Sequence, residues 1–122
     1  MNIFVFGSNR AGRHGRGSAL EALRNHGAQY GQGEGMQGKS YAIPTKDEHL
    51  RSLPLEEIQA GVNRFLDVAR ARPRDEFRVV PIGCGLAGYS PDQIAPFFRD
   101  APDNVRLPKE FIGVLQKDAA HG

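Results

Sequence analysis

Apolar and polar positions change period several times along this chain, and each change marks an element. Asn2 to Phe6 is an apolar run with β-branched and aromatic members, bounded by Gly7, which predicts a strand buried on both faces. From Ser18 to Asn25 the composition turns to Ala, Leu and Glu. Leu20 and Leu23 share one stripe there and Gly27 stands where a C-terminal cap would sit, predicting a helix. Ser40 to Pro44 predicts a second short strand. Pro54 opens a helix at its first turn, where a missing N–H costs nothing; Ile58, Val62, Phe65, Leu66 and Ala69 recur at helical spacing and Pro73 closes it. Phe77 to Ile82 predicts a third strand, Pro91 to Arg99 a helix with Ser90 as N-cap, and Val105 to Leu107 a last short strand. This alternation predicts an α/β fold with a mostly parallel sheet covered by helices.

The glycines cluster between these elements. Gly7, Gly12, Gly15 and Gly17 fall in the loop after the first strand, and Gly31, Gly33, Gly35 and Gly38 in the Gln29 to Lys39 connection, which the sequence predicts to be flexible. The loop Gly83-Cys84-Gly85-Leu86-Ala87-Gly88-Tyr89 follows the third strand. Open parallel sheets bind ligands beyond the carboxyl ends of their strands, where loops lead into helix N-termini. Backbone N–H groups of the first and last of these loops can therefore point at an anion, helped by the following helix dipoles, and a phosphate or diphosphate fits best. The plainer alternative is that the glycines only make tight turns. Neither standard nucleotide signature is present. Gly17 is followed by Ser18-Ala19 rather than the Lys-Ser/Thr pair of a Walker loop, and the spacing of Gly12, Gly15 and Gly17 is not that of a dinucleotide fingerprint.

Composition narrows the class. The 122 residues hold no low-complexity tract and predict one domain spanning 1–122, with 39% hydrophobic and 25% charged residues as in ordinary globular proteins. The longest apolar runs, Ile3 to Phe6 and Val79 to Ile82, fall far short of the roughly 20 residues that cross a bilayer, so no membrane segment is expected. The opening residues lack the pattern of a signal peptide, and Cys84 is the single cysteine; together they predict a cytoplasmic, reducing location. Net charge is only +2, but Arg10, Arg13, His14 and Arg16 crowd one stretch, with Arg24 a little further on. Such a patch attracts nucleic acid, membrane or small anions alike. No aromatic residue interleaves with those arginines to stack bases, which weighs against nucleic acid. His26, His49 and His121 show no metal-ligand spacing and predict surface positions, leaving His14 as the one histidine kept for the site and no metal expected. Cys84 invites a nucleophile reading, but no histidine is placed to activate it, and a small buried residue is the better expectation.

Three segments taken together, Phe-Gly-Ser-Asn-Arg-Ala-Gly-Arg-His-Gly-Arg-Gly-Ser-Ala, Ala-Ile-Pro-Thr-Lys-Asp and Pro-Ile-Gly-Cys-Gly-Leu-Ala-Gly-Tyr, resemble the macrodomains. The likeness is to the branch with the terminal ADP-ribose glycohydrolases and to macrodomain-like proteins of phages and bacteria. It spans about Asn2 to Phe98, with Ile82 to Leu86 and Thr45-Lys46 its most specific parts. It implies a small three-layer fold with helices on both faces of the sheet and a reduced N-terminal strand. It also implies binding of ADP-ribose or a related NAD-derived nucleotide, with no cofactor. Hydrolysis of an ADP-ribosyl bond, on a macromolecule or a signalling nucleotide, is the further expectation; without it the domain is a sensor or sponge. By the same resemblance Gly7, Ser8 and Asn9 lie near the adenosine side or the terminal ribose, and His14, Gly15, Gly17 and Ser18 beside the distal ribose. Gly83, Cys84, Gly85, Leu86, Ala87 and Gly88 wrap the diphosphate under a covering Tyr89. Lys46, after Thr45, matches the lysine that attacks the distal ribose. Ala87 stands where that branch carries an acid, which leaves Asp47 as the candidate for proton transfer.

Overall fold

The computed structural model describes residues 1–121, the side chain of His121 excepted, so the surface position expected of His121 lies outside the described residues. Five strands form one sheet: β1 (Asn2–Asn9), β2 (Gly35–Gln37), β3 (Ser40–Lys46), β4 (Glu76–Val79) and β5 (Val105–Arg106). Their order is β2-β3-β1-β4-β5. β1 pairs parallel with β3 and β4, and β4 parallel with β5; β2 alone runs antiparallel, as a hairpin with β3. The helices are α1 (Gly17–Asn25), α2 (Leu55–Ala71), α3 (Pro91–Ile94) and α4 (Lys109–His121). This is a mixed α/β, mostly parallel, three-layer fold.

The alternation of β1 builds both layers. Ile3 and Val5 point into a core made with Ile58, Val62 and Phe65 of α2 and with Phe98 and Phe111, while Phe4 and Phe6 point to the other face and meet Ala19 and Ala22 of α1. The larger core carries a run of aromatic contacts, with ring centroids 5.5 Å apart for Phe65 and Phe77 and again for Phe98 and Phe111. Phe111 is fully buried, so its truncation to alanine costs about 3–5 kcal/mol.

The elements depart from the sequence pattern where a single residue decides. β1 runs on to Asn9 because Gly7, Ser8 and Asn9 still find partners in Ile43, Pro44 and Lys46. β4 stops at Val79: Val80 N donates to Val5 O at 3.1 Å, and Pro81 has no N–H to continue. The helix expected from Pro91 to Arg99 tightens after Ile94 into a 3-10 turn, Ala95–Phe98, because Pro96 removes a donor from the α ladder. The Gln29 to Lys39 connection is packed rather than loose. Buried Gln37 anchors it: its Oε1 accepts from Gln29 N (2.8 Å) and its Nε2 donates to Gln32 O (3.1 Å).

β1 and β4 lie side by side, yet the chain leaves β1 through α1 toward β3 and leaves β4 through α3 toward β5. A crevice opens between the ends of such neighbours.

Candidate functional site

That crevice is a cleft of about 830 Å³, within the range of small-molecule sites. The β1–α1 segment supplies one wall: Gly7, Ser8, Asn9, Arg13, Gly15, Arg16, Gly17, Ser18 and Ala19. Thr45 and Lys46 enter from the end of β3, followed by Leu50. Val80 to Ala87, Pro91 and, from α4, Glu110 complete the rim.

The β1–α1 wall is shaped by hydrogen bonds that use up most of its side chains. Asn9 donates from Nδ2 to Arg13 O and accepts Arg13 N at Oδ1, both at 2.9 Å, closing a turn. Buried Ser8 donates its hydroxyl to Gly33 O, and Thr45 Oγ1 donates to Ser8 O at 3.3 Å. These three residues line the cleft but act first as its braces. Backbone donors are what stays free. α1 starts at an extended Arg16 with no side-chain cap, so the first-turn N–H groups of Gly17, Ser18 and Ala19 have no partner within the helix and lie at the cleft. Across from them, Gly88 N and Tyr89 N bond to Gly85 O and Gly83 O, while among the described residues no backbone acceptor is bonded to the N–H groups of Gly85, Leu86 and Ala87. Two sets of uncommitted donors thus border one concavity, the arrangement that binds phosphate oxygens.

Charge follows the same plan. Arg10 is taken by Glu57 at 2.6 Å, but Arg13, Arg16 and half-buried Lys46 line the cleft with no carboxylate in ion-pair distance among the described residues. Cys84 also lines it. Burial, and then the Glu110 carboxylate, push its thiol above the ordinary value, which keeps it protonated and unreactive at neutral pH.

Four expected site residues lie elsewhere. His14 is fully buried beneath the loop, edge-on to Phe6, with Nε2 3.1 Å from Gln37 Oε1. That oxygen only accepts, so Nε2 carries the proton and Nδ1 is left buried without a partner. Asp47 points away from the cleft. Its Oδ1 accepts His49 N (2.8 Å) and Arg51 N (3.0 Å), locking the turn that holds Leu50 at φ 64 over the rim. The Arg51 hydrogen bond holds its carboxyl below the ordinary range; partial desolvation opposes this and the His49 amide adds to it. Tyr89 does not cover the cleft: its hydroxyl donates to Leu53 O at 2.5 Å, and beside it Ser52 Oγ donates to Ala87 O at 2.6 Å. These two bonds tie the Asp47 turn to the glycine loop. Gly88, at φ 83, makes the turn beneath the loop and does not line the cleft. His26, expected at the surface, is half-buried and stacked on Phe4 with ring centroids 4.3 Å apart, while His49 is exposed.

Sequence reasoning had not placed Ala19, Leu50, Val80, Pro81, Ile82, Pro91 or Glu110 in the site. Glu110 was reachable, since Pro108 followed by Phe111, Val114 and Leu115 is a helix start with an apolar stripe.

The fold is macrodomain-like. The sequence matches no protein-family model and no curated protein. Among solved structures it is similar to Thermosipho africanus DarTG in complex with ADP-ribose, with a TM-score of 0.60 and 15% sequence identity over 88% of this chain. The likeness covers 38% of that chain. No described helix is long and apolar enough to cross a membrane.

Proposed function

We propose that the cleft binds ADP-ribose or a closely related NAD-derived nucleotide and that the domain hydrolyses an ADP-ribosyl bond there. One observation carries the binding: the uncapped start of α1 and the free amides of Gly85 to Ala87 face one cleft whose unpaired cations are Arg13, Arg16 and Lys46. A diphosphate satisfies both sets of donors at once. The similarity to a structure holding ADP-ribose supports the choice of nucleotide. The reading takes the chain as one domain working in the cytoplasm, on ADP-ribose carried by a macromolecule or a nucleotide, and of phage or bacterial type.

Lys46 is the residue for the hydrolytic step. Attack on the ribose needs a lysine amine that reaches the ligand, and Lys46 lines the cleft at the end of β3. Asp47, turned outward to cap its own loop, does not assist. The experiment is calorimetric titration with ADP-ribose alongside release of ADP-ribose from modified substrates, on wild type and Lys46→Ala. Affinity in the variant should stay within about tenfold, about 1.4 kcal/mol, because the backbone amides carry the diphosphate. Release should disappear. Full activity in Lys46→Ala removes Lys46 from the chemistry, and a wild type that binds without turnover makes the domain a sensor or sponge.

A further inference from the structure

Two leucines stand exposed at the mouth of the cleft. Leu50 is 50% and Leu86 64% exposed, and of the exposed large hydrophobic side chains among the described residues these alone line the cavity. Single leucines scattered over a surface are ordinary; a pair at one opening is not. They come from two segments that the fold fastens together. Ser52 Oγ donates to Ala87 O at 2.6 Å and the Tyr89 hydroxyl donates to Leu53 O, so the turn that carries Leu50 stands beside the loop that carries Leu86. Leu50 also goes against ordinary turn chemistry. At φ 64 it occupies the left-handed region, where glycine or asparagine costs least. The turn holds it there: Leu50 N donates to Asp47 O at 3.1 Å and Asp47 N to Arg51 O at 2.8 Å. A bulky apolar side chain kept exposed and strained at a cleft is the kind of outlier that serves a ligand.

Lys46 ends β3 and bridges to Ser52 across the same turn, so the leucines stand at the Lys46 end of the cleft, where the distal ribose is placed under the nucleotide reading above. ADP-ribose offers only a hydroxyl beyond that ribose, and a hydroxyl is better left to water than to leucine. A flat ring gains from both side chains. Arg13, Arg16 and Lys46 line the same cleft with no carboxylate in ion-pair distance among the described residues, which disfavours a cationic ring and favours a neutral one. Two side chains suffice for one ring and fall far short of the about 800 Å² per partner that a protein surface needs. Resting on the nucleotide reading, we propose that Leu50 and Leu86 clasp a neutral, flat ring carried on the anomeric carbon of the distal ribose. The ligand class is then a free dinucleotide with a ring at each end, as in reduced nicotinamide adenine dinucleotide, rather than ADP-ribose carried by a macromolecule.

The test is calorimetric titration of wild type, Leu50→Gly, Leu86→Ala, the double variant and Leu50→Met with ADP-ribose and with the reduced dinucleotide NADH. The two ligands share the adenosine, the diphosphate and the net charge, so general electrostatics and phosphate contacts cancel in the ratio of their affinities. Wild type should bind NADH about tenfold more tightly than ADP-ribose, the scale of burying part of two leucine side chains. The oxidised form, whose ring is cationic, should lose most of that advantage. Leu50→Gly and Leu86→Ala should each cut the preference to about threefold and the double variant should abolish it, while Leu50→Met, which keeps an apolar side chain of similar size, should retain it. Glycine relieves the left-handed backbone at position 50, so Leu50→Gly should melt no lower than wild type, which separates a lost ring contact from a damaged fold. Equal binding of ADP-ribose and NADH by wild type, or an undiminished preference in the double variant, overturns the role of the leucines and leaves the nucleotide cleft standing. A wild type that binds neither ligand overturns both readings.

Discussion

Two groups of glycines look alike in the sequence and differ in what surrounds them. Gly12, Gly33 and Gly38 are packed against backbone: a Cβ on Gly12 would lie 2.4 Å from Gln32 N, on Gly33 2.4 Å from Asn9 O, and on Gly38 2.6 Å from Gly27 O. Gly15, Gly17 and Gly85 face open space, with nothing within 4 Å of where a Cβ would stand, and all three line the cleft. The first group lets two loops and a helix end touch through their main chains. The second leaves bare amides and room. A glycine-rich loop is thus two devices, one that closes the scaffold and one that opens the site.

The difference breaks most visibly at Gly12. Its φ is +70, and the Cβ of Gly12→Ala would collide with main-chain atoms of Gly31 and Gln32, which cannot swing aside as a side-chain tip can. Strain and overpacking together predict a loss of about 3 kcal/mol or more. In a domain of this size that lowers Tm by about 10 °C, read by calorimetry or circular dichroism. A variant as stable as wild type would mean that the packed group is no different from the open one.

At Gly85 the expectation reverses. The position lines the cleft, is not in the left-handed region and has space for a Cβ, so Gly85→Val should stay within about 1 kcal/mol of wild-type stability. Its isopropyl group fills the volume beside the free amides, and ADP-ribose affinity should fall about a hundredfold, about 2.7 kcal/mol, in calorimetric titration. Normal binding by a folded Gly85→Val protein would show that the loop is a turn and nothing more.

Much of this was legible beforehand, for reasons that can be stated. Strands with continuous apolar runs and α2 with its regular stripe announce themselves, because a buried sheet and a long amphipathic helix need those patterns. The three segments from Gly7, Thr45 and Gly83 were visible as loops after strands, and the fold brings all three to one cleft. What stayed hidden is tertiary. β2 is three residues including a glycine, and only pairing with β3 makes it a strand. Nothing local tells that Ser8 and Thr45 spend their hydroxyls on backbone carbonyls, that His14 turns inward to Gln37, or that Tyr89 reaches Leu53. That Glu110 reaches the cleft is tertiary too: the start of α4 can be read from Pro108 and the Phe111, Val114, Leu115 stripe, but not which element its first turn meets.

The division between scaffold and site also separates two adjacent residues, Lys46 in the cleft and Asp47 outside it, and here the expected effects are smallest. Asp47 caps its own turn, and the amides it accepts hold its carboxyl below the ordinary 3.8. A carboxyl lowered by folding contributes stability that is fully present above its unfolded value and is lost as the pH falls through the still lower folded one. Asp47→Ala should therefore melt a little below wild type at neutral pH, and the gap should close as the pH drops below about 4. A gap that stays constant down to about pH 3 would mean that the charge plays no part. Asp47→Asn sharpens the point, because its side-chain oxygen can still accept from His49 and Arg51 while the carboxylate is gone. It should keep the turn, the position of Leu50 and whatever turnover the wild type shows to within about twofold, about 0.4 kcal/mol. A variant that binds ADP-ribose normally and has lost turnover would instead return Asp47 to the chemistry, and would require its turn to open during the reaction.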